Sequence, residues 1–137
     1  MRVSAQSVTG IGLIVFSNPP LNPISATAGI PQGIAAELDA LEALPGVKAI
    51  VLASDGKMFS AGADISEFDR NAAEVGGPIR ALIARLDACR LPLVAAIQGS
   101  ALGGGLEVAL GCDYRVAAKD ARFALPEVSL GLIPGAG

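Results

Sequence analysis

Two carboxylates sit in stretches that otherwise carry no charge. Glu107 ends the segment Gly99-Ser-Ala-Leu-Gly-Gly-Gly-Leu-Glu107, and Glu127 follows the proline of Leu125-Pro-Glu-Val128. A carboxylate in apolar surroundings is costly unless it has a partner or a task. Two that share a water can divide the work of general acid and general base. The triple glycine adds bare backbone N–H groups where the pattern predicts a helix start, a place to hold developing negative charge. Each residue also has a plainer reading. Glu107 suits the positive end of a helix, Glu127 suits a rim position at a strand end, and the glycines permit close packing of helix on strand.

Other chemistries are narrowed by what the chain lacks. It contains no histidine, which removes Ser–His–Asp and Cys–His catalysis and most zinc sites, so no metal is expected. Gly99-Ser-Ala-Leu-Gly-Gly lacks the dinucleotide-binding spacing, Ser100 does not lie in a nucleophile elbow, and Gly56-Lys57 is followed by Met58 rather than Ser or Thr. A net charge of −3 without a basic cluster argues against nucleic acid as a partner. Cys89 and Cys112 read as buried thiols in a reducing compartment, with a disulfide as the less favoured alternative. No apolar run reaches spanning length, and no signal region opens the chain, so a cytoplasmic place without a membrane span is expected.

The elements that must position these residues follow from periodicity. With 52% hydrophobic residues dominated by Ala, Val, Leu, Ile and Gly, 137 residues suffice for a packed core. Arg2 to Val8 and Ile11 to Phe16 read as paired strands around Thr9-Gly10, and the proline-rich Asn18 to Pro23 as a loop. Ile30, Ile34, Leu38 and Leu41 mark one face of a helix that Pro45-Gly46 ends. Val47 to Ala53 and Leu93 to Ile97 read as buried parallel strands. Between them, Phe59 to Asp64 is a small-residue loop, either a plain turn or a ligand site at a strand end. A short helical piece follows around Ile65 to Phe68, and Asn71 to Gly77 is expected to be mobile. Pro78 then opens a helix with Ile79, Leu82, Ile83 and Leu86 on one face. A third helix starts at Gly103 and runs to Leu110, ahead of short strands at Tyr114 to Ala117 and Arg122 to Leu125. No internal repeat stands out. The order of elements predicts an α/β fold.

The motifs resemble the N-terminal part of the crotonase, or enoyl-CoA hydratase/isomerase, superfamily. The matching pieces are Asn18-Pro-Pro-Leu-Asn-Pro-Ile-Ser25, Val47-Lys-Ala-Ile-Val-Leu52, Phe59-Ser-Ala-Gly-Ala-Asp-Ile65, Pro92-Leu-Val-Ala-Ala-Ile97, the Gly99 to Glu107 segment, and Leu125-Pro-Glu-Val128 through Gly137. They follow the family's order over nearly the whole chain, and are most similar to the hydratase half of bifunctional fatty-acid oxidation enzymes. The resemblance implies a ββα spiral, with residues 1–137 as the N-terminal part of a single domain. It implies an acyl-CoA substrate and no separate cofactor, coenzyme A being part of that substrate. It implies an oxyanion hole from the N–H groups of Ala63 and Gly104, and catalysis by Glu107 and Glu127. Ser25, Ala26, Ala61, Asp64 and Ile65 would line the coenzyme A groove, with Lys57 reaching its phosphates. Read on their own, Asp64 is a helix cap and Lys57 a solvated charge.

Glutamate at both 107 and 127 looks like the hydratase pattern of β-oxidation, with double-bond isomerisation or an inactive acyl-CoA-binding fragment as the alternatives. The family's domain normally continues past Gly137. A truncated chain is therefore expected, with exposed apolar faces and a loosely held site. The resemblance further implies a homo-oligomeric or bifunctional parent.

Overall fold

A computed structural model of the chain describes residues 2–67, 72–131 and 133–135, apart from the side chains of residues 65, 72–76 and 130. Strands β1 (Arg2–Val8) and β2 (Ile11–Ser17) form the antiparallel hairpin that the sequence predicts, with Val8 opposite Ile11. β3 (Ala49–Ser54), β4 (Leu93–Ile97) and β6 (Tyr114–Ala117) add to β2 in parallel, giving one five-stranded sheet in the order β1-β2-β3-β4-β6. Two strands of three residues, β5 (Ser100–Leu102) and β7 (Arg122–Ala124), pair in parallel as a second sheet.

One face of the large sheet makes the core. Ile14, Phe16, Ile50, Leu52, Leu93, Ala95 and Ile97 alternate inward and are almost fully buried, as the two-residue period of a strand requires. Helix α1 (Ile30–Ala43) covers them with Ile30, Ile34, Leu38 and Leu41, the face read from spacing. Phe59 meets Phe16 edge to face at 5.3 Å, a favoured aromatic geometry. Val51, Ala53, Val94 and Ala96 point the other way and are only half-buried. β3 and β4 are thus buried on one face rather than on both.

Helix α2 (Ala72–Asp87) corrects the reading around Pro78. The helix begins six residues earlier and carries Pro78 inside it; Asn71 and Phe68 lie outside the described residues. Proline clashes with the Cβ of the residue before it when that residue is helical. Here that residue is Gly77, which has no Cβ to clash. The helix therefore passes through a segment whose local propensity is poor, and the packing of Ile79, Leu82 and Leu86 outweighs it. Helix α3 (Gly104–Leu110) starts at the triple glycine.

The chain repeats one path although its sequence does not repeat. Each of β2, β3, β4 and β6 is followed by an extended segment and then by helix. The extended segments run side by side: Ile24 bridges Ala63, Ser60 bridges Ala101, and Ala101 pairs with Phe123. Four turns result. Their helical parts are α1, a 3₁₀ turn at Ile65–Glu67 with α2, α3, and a 3₁₀ turn at Pro126–Leu130. No helix among the described residues is long and apolar enough to cross a membrane.

Candidate active site

The extended segments of successive turns lie side by side, so their ends converge. Turn two ends at Ala63, turn three at Gly103 and Gly104, and turn four at Glu127. Gly62 has φ of +102°, and a Cβ there would lie 2.8 Å from the Leu102 carbonyl and 3.5 Å from the Gly104 nitrogen. Only glycine allows the two segments to approach so closely. The Cβ position of Gly104 lies 3.4 Å from the Ala63 nitrogen, which puts the two N–H groups on adjoining backbone. Gly104 is the first residue of α3, so its N–H has no acceptor inside the helix.

Both carboxylates reach this point. Glu107 lies in the first turn of α3, where it is 7% exposed. Its Oε2 is 3.8 Å from the Cβ position of Gly104. The helix end favours a negative charge there. Glu127 lies in the first turn of the 3₁₀ segment after Pro126. Its Oε1 is 2.7 Å from the Cβ position of Gly103, a residue with φ of +49° whose N–H donates to the Ala124 carbonyl at 2.9 Å. Its Oε2 is buried with no hydrogen-bond partner among the described residues. A buried polar atom of this kind calls for an explanation. Ile79 supplies an apolar wall, its Cδ1 lying 3.1 Å from the Cβ position of Gly104. Two N–H groups and two carboxylates around two glycines can polarise a carbonyl and move protons beside it.

The residues read as a coenzyme A groove fall into two groups. The parallel Ile24–Ala63 bridge carries Ser25 and Ala26 alongside the segment that begins with Asp64, while Ala61 lies before the bridge, against Leu21. The Ser25 hydroxyl, however, donates to Glu67 Oε1 at 2.6 Å, and the Ala26 N–H donates to Glu67 Oε2 at 3.1 Å. The Ala61 N–H is used by the Leu21 carbonyl at 2.9 Å. Asp64 Oδ1 accepts from the Ser66 N–H and hydroxyl, as a cap does. Lys57 is exposed in the turn after β3. Ile65 opens the 3₁₀ turn, and its side chain lies outside the described residues.

Two polar residues that frame the site were missed from sequence. Asn22, 2% exposed, donates from Nδ2 to the carbonyls of Asp55 at 2.6 Å and Met58 at 3.0 Å. Glu67 accepts from Ser25, Ala26 and Thr27. Burial pushes the Glu67 carboxyl up, but the bonds from Ser25, Thr27 and Ala26 outweigh it and hold the group below the usual carboxylate value. Asp64-x-x-Glu67 has the spacing of a capping box, a signal for the pair, but its Glu reaches a different loop. Cys89 and Cys112 are both free thiols; Cys112 is buried as read, and burial pushes it up to about 12, but Cys89 is only half-buried.

Comparison with known proteins places the chain among relatives. Residues 6–137 match the family described as enoyl-CoA hydratase/isomerase. A Bacillus subtilis protein named probable enoyl-CoA hydratase is 40% identical over 130 residues, which cover 91% of this chain and 50% of that protein. The human peroxisomal bifunctional enzyme is 44% identical over 129 residues, covering 92% of this chain and 17% of that one. The crystal structure of an enoyl-CoA hydratase subunit from Geobacillus kaustophilus superimposes with a TM-score of 0.88 at 37% identity, over 98% of this chain and 53% of its own. The fold is therefore the crotonase-like α/β fold, and the chain spans about half the length of the Bacillus relative.

Proposed function

The chain belongs to the enoyl-CoA hydratase/isomerase family, and from that premise we propose that it carries the site for reversible syn hydration of a trans-2-enoyl-CoA to a 3-hydroxyacyl-CoA. The observation that carries this reading is the convergence of Glu107 and Glu127 on Gly103 and Gly104 beside the Ala63 nitrogen.

In the proposed reaction the thioester oxygen sits between the N–H groups of Ala63 and Gly104. As water adds, charge moves onto that oxygen as an enolate, which the two donors stabilise more than they stabilise the ground state. Glu107 holds the water, takes up one of its protons and directs its oxygen to Cβ. Glu127 supplies the proton that arrives at Cα, and a proton passing from Glu107 back to Glu127 resets the pair. The net change is one water added across the double bond. The unbonded Oε2 of Glu127 supports this role, because a substrate proton gives it a task. Coenzyme A enters as part of the substrate, along the strip from Ala61 to Asp64 with exposed Lys57 at its edge, and no separate cofactor takes part. We place the reaction in fatty-acid β-oxidation in the cytoplasm, within a homo-oligomer or a bifunctional chain.

Hydration of crotonyl-CoA, followed as loss of the conjugated thioester absorbance, tests the proposal. Glu127→Gln and Glu107→Gln should each lower kcat by about 100-fold or more, with binding changed only a few-fold. Turnover that survives both substitutions would mean the two carboxylates do not do the chemistry. A chain that binds butyryl-CoA but never hydrates crotonyl-CoA would be a ligand-binding fragment instead.

A further inference from the structure

The segment from Asn18 to Thr27 is a strap sewn along the loop that carries Ala63. Its stitches before Ala63 come from Asn22, which bonds the carbonyls of Asp55 and Met58, and from two backbone bonds. The Ala61 N–H donates to Leu21, and the Ile24 N–H donates to the Gly62 carbonyl at 2.7 Å. Beyond Ala63 the described stitch is Glu67. Its carboxylate accepts from the Ser25 hydroxyl at 2.6 Å, the Thr27 N–H at 3.0 Å and the Ala26 N–H at 3.1 Å. The 3% exposed Ser25 hydroxyl also accepts from the Ala28 N–H at 2.9 Å, so one hydroxyl joins the carboxylate to the strap's own turn. Bonds to an ionised acceptor are the stronger kind, and a chain of them reinforces itself.

We infer that Glu67 is a positioning residue: by bonding Ser25, Ala26 and Thr27 together, its carboxylate fixes the Ile24–Ala63 pairing and with it the direction of the Ala63 N–H. The inference rests on the proposed role of that N–H in holding the thioester oxygen. Ala63 is held on both sides, by Gly62 before it and Glu67 after it. Among the described residues, the other contacts within this 3₁₀ turn are short-range, from the Glu67 N–H to the Asp64 carbonyl and from Ser66 to Asp64. They shape the turn without tying it to the strap. The Ser25 hydroxyl and the Ala26 N–H are thereby committed inward, as supports of the donor rather than as ligands of a nucleotide.

The test is made on the 137-residue chain by amide NMR of Ala63 in the wild type, Glu67→Gln and Glu67→Ala. The Ala63 N–H order parameter is expected to fall in Glu67→Ala from the rigid range near about 0.85 toward about 0.6, with its resonance displaced. Glu67→Gln, which keeps an acceptor oxygen, should recover most of the difference. If the Ala26 and Thr27 amides respond while Ala63 stays as in the wild type, Glu67 only secures the strap and the inference is wrong. Ser25→Ala removes one donor and leaves the carboxylate, so it decides the matter if Glu67→Ala does not fold: a smaller change of the same sign at Ala63 is expected, and none overturns the inference. A second readout separates this inference from the hydratase reading. The thioester carbonyl stretch of bound butyryl-CoA should move to lower frequency in the wild type and lose part of that shift in Glu67→Ala. A wild type that leaves the stretch unshifted sinks the donor role of Ala63, while the amide result still decides what Glu67 does.

Discussion

Turn two, which carries Ala63, and turn four, which carries Glu127, are built by different means. Turn two is held by side chains in addition to its backbone bonds with Leu21, Ile24 and the Ser60–Ala101 bridge. Asn22, Ser25 and Glu67 bind it to the strap, and Gln98 Nε2 donates to the Ser54 carbonyl at 2.9 Å just ahead of it. Turn four is held by the short β5–β7 pairing and by the Gly103 N–H on the Ala124 carbonyl. Its apolar side chains face outward: Phe123, Leu125 and Val128 are exposed, Val128 at 79%. The contrast fits the two tasks proposed. A donor that meets developing charge works best when it is fixed beforehand, whereas a group that moves a proton must reach two positions.

Substitution of Gly62, in turn two, and of Gly103, in turn three against Glu127 of turn four, probes this contrast most strongly. In Gly62→Ala the new methyl meets the Leu102 carbonyl, a backbone atom, from a residue at φ +102°. The fold should lose on the order of 3 kcal/mol, read as a lower urea midpoint. In Gly103→Ala the methyl meets the end of the Glu127 side chain instead, which can swing away. Stability should then fall by about 1–2 kcal/mol, from backbone strain alone. The displaced carboxylate should nevertheless cost that variant more turnover than its loss of stability explains. Equal stability losses in the two variants would mean that the Glu127 side chain does not yield and that turn four is as rigid there as turn two.

Asn22→Ala comes next. It leaves the Asp55 and Met58 carbonyls without the Asn22 amide that now serves them, and Asn22 is buried. We expect a stability loss of about 2 kcal/mol, read as a lower urea midpoint. Since the bonds anchor turn two alone, the β5 and β7 amides should keep their chemical shifts. Shifts that spread to Arg122–Ala124 would show that the two turns are coupled.

The same contrast separates what was legible in the sequence from what was not. The hairpin, the buried face of α1, both ends of β4 and the place of Glu107 in the first turn of α3 all follow from periodicity and local turn chemistry. The second sheet follows only in part. Arg122 to Leu125 reads as a short strand and forms β7, but β5 is three residues, too short to show alternation, and it exists because a parallel neighbour pairs with it. The four-turn path is a repeat of backbone rather than of residues, so no sequence period betrays it. In α2 a local break signal lost to packing. The support of turn two was hidden for another reason. Ser25 and Glu67 are 42 residues apart, and Asn22 and Asp55 are 33 apart, so their meeting is a consequence of the fold. The two small-residue loops could be singled out in the sequence, but the side chains that hold one of them could not.

Acid should distinguish the two turns by the smallest margin. The Glu67 carboxyl lies below its ordinary value of 4.5, because burial raises it less than the bonds from Ser25, Thr27 and Ala26 lower it. A carboxyl lowered in the folded state binds fewer protons there than in the unfolded chain. Its contribution is therefore complete above the unfolded value and is lost as pH falls through the folded one. Glu42 behaves likewise, lowered chiefly by the Arg90 N–H and then by Arg85, so acid weakens the wild type at two places. Comparison with Glu67→Gln isolates one of them. The gap in urea midpoint between wild type and variant should be widest near neutral pH and should close between about pH 5 and pH 3. The Ala63 amide of the wild type should shift over that same range while the Gly104 amide stays still. A Gly104 amide that follows Ala63 through the titration would mean that the charge on Glu67 is felt across the site rather than along the strap alone.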